Sequence, residues 1–157
     1  MSCLSKPTVS YLVRMPTGSM IWYSNWASGR LNSHTNSSTS RRTSGTHFPQ
    51  WAQDGVYEPQ NTPDLGQLVH TLEHGRIDVQ YKPGTPDHTV KQLEALLAEQ
   101  EDGYHMLLFQ NGTNMDAQVA ATAWGHSLTC PQFNNKVFDA LRTFRASFID
   151  QGPEDVP

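Results

Sequence analysis

The sequence predicts an α+β domain: a small, mostly antiparallel sheet with helices packed on one face and a long polar N-terminal loop region. Three observations carry this. Apolar residues recur at helical spacing in three separate stretches and alternate or run together in three others. Three strands are too few for a doubly wound parallel sheet. Hydrophobic residues make up only 36% of the 157 residues, and charged residues only 17%. The balance is Ser, Thr, Asn, Gln, Gly and Pro, which favours long loops over a helical bundle.

Residues 1–31 form an N-terminal extension with no clear period and are left unassigned. Residues 32–157 are one domain, and a chain of this length buries a core without disulfide staples. Residues 24–46 are rich in Ser, Thr, Asn and Gly and read as extended loop. Thr62-Pro63-Asp64 starts a helix, with Thr as cap, Pro at the first position and an acid in the first turn. Leu65, Leu68, Val69 and Leu72 follow on one side, and Gly75 ends the helix in a left-handed conformation. Ile77, Val79 and Tyr81 alternate with polar residues, so 76–82 is a strand. Asp87 caps a second helix with the stripe Val90, Leu93, Leu96 and Leu97. Tyr104 to Phe109 is an apolar strand broken only by His105, Asn111-Gly112-Thr113-Asn114 is a turn, and Gln118 to Trp124 is a third strand. Asn134 caps a last helix carrying Val137, Leu141, Phe144 and Phe148, and Gly152-Pro153 closes it. Cys130 precedes a proline and reads as loop. One disulfide with Cys3 is the only pairing the chain allows.

Charge narrows the function. The net charge is −4, and the 11 Lys and Arg are scattered. Nucleic-acid binding needs a dense positive face, and none is present. No apolar run has the length of a membrane span or of a signal-peptide core, so stable membrane insertion by this chain is not expected. Compartment and oligomeric state are not encoded in any feature of the sequence. The sequons at Asn36 and Asn111 are short enough to arise by chance.

His70 and His74 stand four apart on the first helix, so their rings lie one above the other and can share a metal. At 100° per residue they point away from the leucine stripe, toward solvent or a covering layer. The ordinary reading of such a pair is two solvated histidines. The aromatic loop His47-Phe48-Pro49-Gln50-Trp51 shifts it, because this loop can fold over the polar helix face and add His47 as a third imidazole. His70 to His74 also spells H-x-x-E-H, an order in which Glu73 would act as general base of a metalloprotease; that class is far larger than this chain. Met115 follows the turn and offers a thioether, which favours copper over zinc. His126 is a reserve ligand, and His105 reads as a satisfied histidine at the sheet surface. Trp51 and Trp124 are the tryptophans that can shield a site.

Several separated motifs resemble a largely bacterial family, domain of unknown function 3105. They are Thr43-Ser44-Gly45-Thr46-His47-Phe48-Pro49, Trp51-Ala52, Gly55-Val56-Tyr57, Leu68-Val69-His70-Thr71-Leu72-Glu73-His74-Gly75, Thr122-Ala123-Trp124-Gly125, Phe144-Arg145 and Gly152-Pro153-Glu154. The resemblance runs from about residue 32 to residue 154, and Thr46 stands where the family pattern has proline. It implies a histidine site built from the loop and the helix, at His47, His70 and His74, and a location outside the cytoplasm. The resulting expectation is a mononuclear metal-binding protein for metal capture, delivery or tolerance, copper preferred over zinc, with Met115 as a fourth ligand. The alternatives are a metalloenzyme with an open coordination position acting on a small-molecule substrate, and a metal-free interaction module.

Overall fold

The structure, a computed structural model, describes residues 3–7, 9–14, 20–25, 48–113 and 115–154. Eight strands and three helices follow in the order β1 (Leu4–Pro7), β2 (Val9–Arg14), β3 (Met20–Asn25), β4 (Gly55–Val56), α1 (Leu65–Glu73), β5 (Ile77–Tyr81), α2 (Asp87–Leu97), β6 (Met106–Gln110), β7 (Val119–Ala123), β8 (His126–Cys130) and α3 (Lys136–Phe148). Six strands form one mixed sheet in the order β1-β8-β7-β5-β6-β4, and β2 and β3 pair as a separate hairpin. The class is α+β and the sheet is mostly antiparallel: only β4–β6 and β5–β6 run parallel. The crossover between parallel β5 and β6 is α2, the long connection that parallel neighbours require.

Side chains alternate across the sheet, and the alternation sorts the core into two layers. Ile77, Val79, Met106, Leu108, Val119, Ala121 and Leu128 pack against Leu93, Leu96 and Leu97 of α2 and against Val137, Leu141 and Phe144 of α3. On the opposite face Leu107 and Phe109 pack against Leu68 of α1 and Ala52. The expected arrangement of helices on one face therefore holds for α2 and α3, while α1 covers the other side. The reason is visible in β5, where Asp78 and Gln80 alternate with the core residues and are themselves buried; a second layer has to cover them.

Helix ends differ from expectation by one or two residues. The cap of α1 is Asp64, whose N–H donates to Gln67 Oε1 at 3.1 Å, so Thr62 and Pro63 lie just outside. Gly75 does take a left-handed conformation, with φ +78°. Cys130 ends a strand, β8, rather than lying in a loop. β8 carries β1 at its outer edge, and Cys3 and Cys130 form a disulfide across that edge. The N-terminal extension thus contributes a strand to the main sheet. Of the loop expected over 24–46, Ser24 and Asn25 instead end β3, and 26–46 lies outside the described residues. Asn111 is buried and donates to Gln80 Oε1 at 2.6 Å, so its sequon is structural. Asn36 lies outside the described residues.

Candidate metal centre

The site is assembled on α1 by two segments that cross it. The first is the chain from Phe48 to Asp54. Phe48 N–H donates to the Gly66 carbonyl at 3.2 Å, and Ala52 N–H donates to Thr71 Oγ1 at 3.0 Å. Gly66 is needed under this crossing, because a Cβ there would stand 2.9 Å from the Phe48 ring. So anchored, the segment lays Trp51 over both histidines, with ring centroids 5.6 Å from His70 and 4.9 Å from His74.

The second segment follows α3. Asp150 N–H donates to the Gly75 carbonyl at 2.9 Å, and Glu154 N–H donates to the Glu73 carbonyl at 3.1 Å. The contact is backbone on backbone. A Cβ on Gly152 would lie 2.2 Å from Gly75 N and 2.3 Å from Glu73 O, and a Cβ on Gly75 would lie 2.7 Å from Asp150 Cα. Two glycines facing each other let the tail run over the end of α1. It delivers the Glu154 carboxylate to His74, with Oε2 3.4 Å from Nε2.

His70, His74 and Glu154 each offer one ligand atom, all within 4.8 Å of one another. A tetrahedral shell with bonds near 2.1 Å spaces its ligands roughly 3.4 Å apart, so small rotations close this group on an ion. The two imidazole centroids are 4.5 Å apart with ring planes at 78°. His70 Nδ1 lies 2.6 Å from the Phe48 carbonyl oxygen. A carbonyl only accepts, so Nδ1 carries the proton and Nε2 keeps its lone pair, the usual arrangement for a histidine ligand. His74 Nδ1 is buried with no hydrogen-bond partner among the described residues. Burial lowers the His74 pKa below 6.5, with help from His70 and Arg76 and against the pull of Glu154. A depressed pKa favours the neutral imidazole, the form that binds metal.

The other expected ligands fare differently. His47 lies outside the described residues; its neighbour Phe48 is the residue hydrogen-bonded to His70. Met115 is packed in a core cluster of its own. It is fully buried with Ala117 and Ala120, and Ala120 pairs with Gln80 near the end of β5 farther from His74. An apolar thioether is held there by packing. His126 is stacked on Phe148 of α3, with ring centroids 4.1 Å apart.

The sequence matches the model of a family described as protein of unknown function (DUF3105) over residues 31–156. The chain belongs to the DUF3105 family. No curated protein and no solved structure matches the chain. The stretches that carry the DUF3105 resemblance coincide with the contacts just described: Trp51-Ala52 crosses α1, Leu68 to Gly75 runs along α1 and past its end, and Gly152-Pro153-Glu154 is the covering tail.

A second polar cluster braces this DUF3105 site from below. Arg76 Nε donates to Asp54 Oδ1 at 2.6 Å, and the other Asp54 oxygen accepts the His105 N–H at 3.0 Å. His105 Nδ1 meets Asp150 Oδ1 at 2.6 Å, and Tyr104 stacks on its ring at 3.8 Å. His105 is buried rather than set at the sheet surface, and it has a positive φ of 53°. Asp54, Arg76, Asp150 and Glu154 carry no local spacing signal. Only Glu154 stood inside a quoted motif, and nothing in one sequence marks it as a partner of His74.

Proposed function

We propose that this DUF3105 protein binds one divalent transition-metal ion through His70, His74 and Glu154, and serves metal capture, delivery or tolerance. The observation that carries the reading is the backbone-locked approach of Glu154 to two adjacent, buried histidines, one of them with its Nδ1–H fixed on a carbonyl. Two imidazoles and a carboxylate suit Cu2+ or Zn2+, and the divalent affinity order puts Cu2+ first. Met115 is packed in the core with Ala117 and Ala120, so the copper preference rests on that order. His47 remains the candidate fourth ligand.

The test is elemental analysis of protein purified without chelator, followed by calorimetric Cu2+ and Zn2+ titration. One ion per chain is expected. His70→Ala and Glu154→Gln should each weaken binding by at least about tenfold, the scale of a lost charged or coordinating partner. Equal affinity and stoichiometry in His70→Ala removes the reading. A second reading, a metalloenzyme, is favoured by one feature: Glu154 is half-exposed, so its edge of the site faces solvent, and three protein ligands leave a coordination position for water. Exchangeable water on the bound ion, seen by proton relaxation of the Cu2+ form, supports it; a closed four-ligand shell rejects it.

A further inference from the structure

A cleft of about 130 Å3 opens on the α1 side of the sheet, between the start of α1 and the turn after β6. Its walls are apolar, from Pro63, Leu65, Leu68 and Phe109. Its floor is polar and comes from β5. There the buried amides and hydroxyls saturate one another: Thr113 donates to Asn111 Oδ1, Asn111 Nδ2 to Gln80 Oε1 at 2.6 Å, and Gln80 Nε2 to Thr122 Oγ1 at 3.1 Å. Asp78 is left out of this chain. It lines the cleft and is 2% exposed, and its Oδ1 has no hydrogen-bond partner among the described residues. Its neighbour in sequence with a charge, Arg76, is engaged by Asp54.

Buried polar atoms are satisfied in nearly every case, and an exception points to a strain store or an absent partner. No fold requirement explains a carboxyl at position 78. Of its two register partners, Leu107 is apolar and Thr122 accepts from Gln80, and Asp78 caps no helix and crosses no turn. We propose that the cleft binds a small organic amine or amidine cation, its nitrogen head on the Asp78 carboxylate and its few-carbon body against Leu65, Leu68 and Phe109. This binding is separate from the metal site.

Size, lining and charge each support that class. The cleft is much larger than the space one water occupies and smaller than the 300 Å3 or so at which drug-sized sites begin. Apolar walls over a polar floor, in which Asp78 Oδ1 is the buried atom without a partner among the described residues, set one end of a ligand apart from the other. Burial raises the Asp78 pKa well above its ordinary value, because desolvation disfavours the ionised form. A nitrogen cation supplies the opposite charge and the donors that the Oδ1 atom lacks.

The experiment titrates the whole chain with n-butylammonium chloride and with n-butyramide, followed by methyl NMR shifts of Leu65 and Leu68. Wild type should saturate with n-butylammonium, at least about tenfold more tightly than with n-butyramide, as expected for a hydrogen bond to a charged group. Asp78→Asn should lose that preference while its spectrum stays folded. Three results overturn the proposal: equal amine affinity in wild type and Asp78→Asn, tighter binding of the amide, or no saturation of wild type by about 100 mM, far above the Kd such a ligand reaches when its polar head is held.

Discussion

Gly152→Ala tests how the candidate site is held together. The added Cβ would stand 2.2 Å from Gly75 N, 2.3 Å from Glu73 O and 2.8 Å from Gly75 Cα. All three are backbone or carbonyl atoms, so no side chain can rotate away. Ordinary contact needs more than a further ångström, and the tail must lift by about that much. Two hydrogen bonds then stretch beyond useful length, Asp150 N–H to Gly75 O at 2.9 Å and Glu154 N–H to Glu73 O at 3.1 Å. Each contributes about 0.5–1.5 kcal/mol net, so the loss is about 1–3 kcal/mol. The Asp150–His105 contact adds little, because the Asp150 side chain is 51% exposed and its charge is screened. For a domain of this size the change corresponds to a fall in Tm of roughly 2–10 °C. Urea unfolding measures the stability loss, and metal titration of the same sample measures the loss of Glu154. Glu154→Gln separates the two, since it should weaken metal binding and leave stability almost unchanged. A Gly152→Ala protein with wild-type midpoint and wild-type metal affinity refutes the backbone-locked tail.

Three further outcomes follow from other contacts. Asp54→Asn strips the charge partner from buried Arg76 and weakens the acceptor for His105 N–H, so urea unfolding should show a loss of about 2–4 kcal/mol, while an unchanged midpoint would mean the pair is idle. Reducing the Cys3–Cys130 disulfide frees a loop of sequence separation 127 and releases β1 from the sheet edge; a loss of about 2–5 kcal/mol in urea unfolding under reductant is expected, and none would contradict the β1–β8 pairing. Asp78 has a folded pKa raised above its unfolded value near 3.8, so the folded state holds its proton as pH rises while the unfolded chain releases it. Stability is therefore fully present below that value and lost as pH climbs through the folded pKa. Relative to wild type, Asp78→Asn should be matched at pH 3.5 and more stable at pH 7, and equal stability at both would show that Asp78 ionises normally.

Much of this architecture is legible from local signals. α1, α2, α3, β5, β6 and β7 each carry their own period, and the His70–His74 pair follows from helix geometry alone, because i and i+4 share a face whatever lies beyond. What the sequence does not display is long-range pairing. Cys130 reads as loop because Pro131 follows, yet it ends a strand in which Ser127 and Thr129 are partly exposed while Leu128 and Cys130 enter the core. β1 has meaning only beside β8. Asp78 and Gln80 look like the wet side of a strand until α1 is seen to cover them. Glu154 lies far along the chain from His74, and the signal that joins them is a pair of glycines, Gly75 and Gly152, whose mutual contact only coordinates reveal. Met115 illustrates the converse. A soft donor after a turn looks available, and packing against Ala117 and Ala120 removes it.

Pulsed electron paramagnetic resonance of the protein loaded with one equivalent of Cu2+ bears most directly on the metal centre. Modulations from the remote nitrogens of at least two imidazoles are predicted for wild type, falling by one ring in His74→Ala. A spectrum without imidazole coupling, or one that His70→Ala and His74→Ala both leave intact, contradicts it.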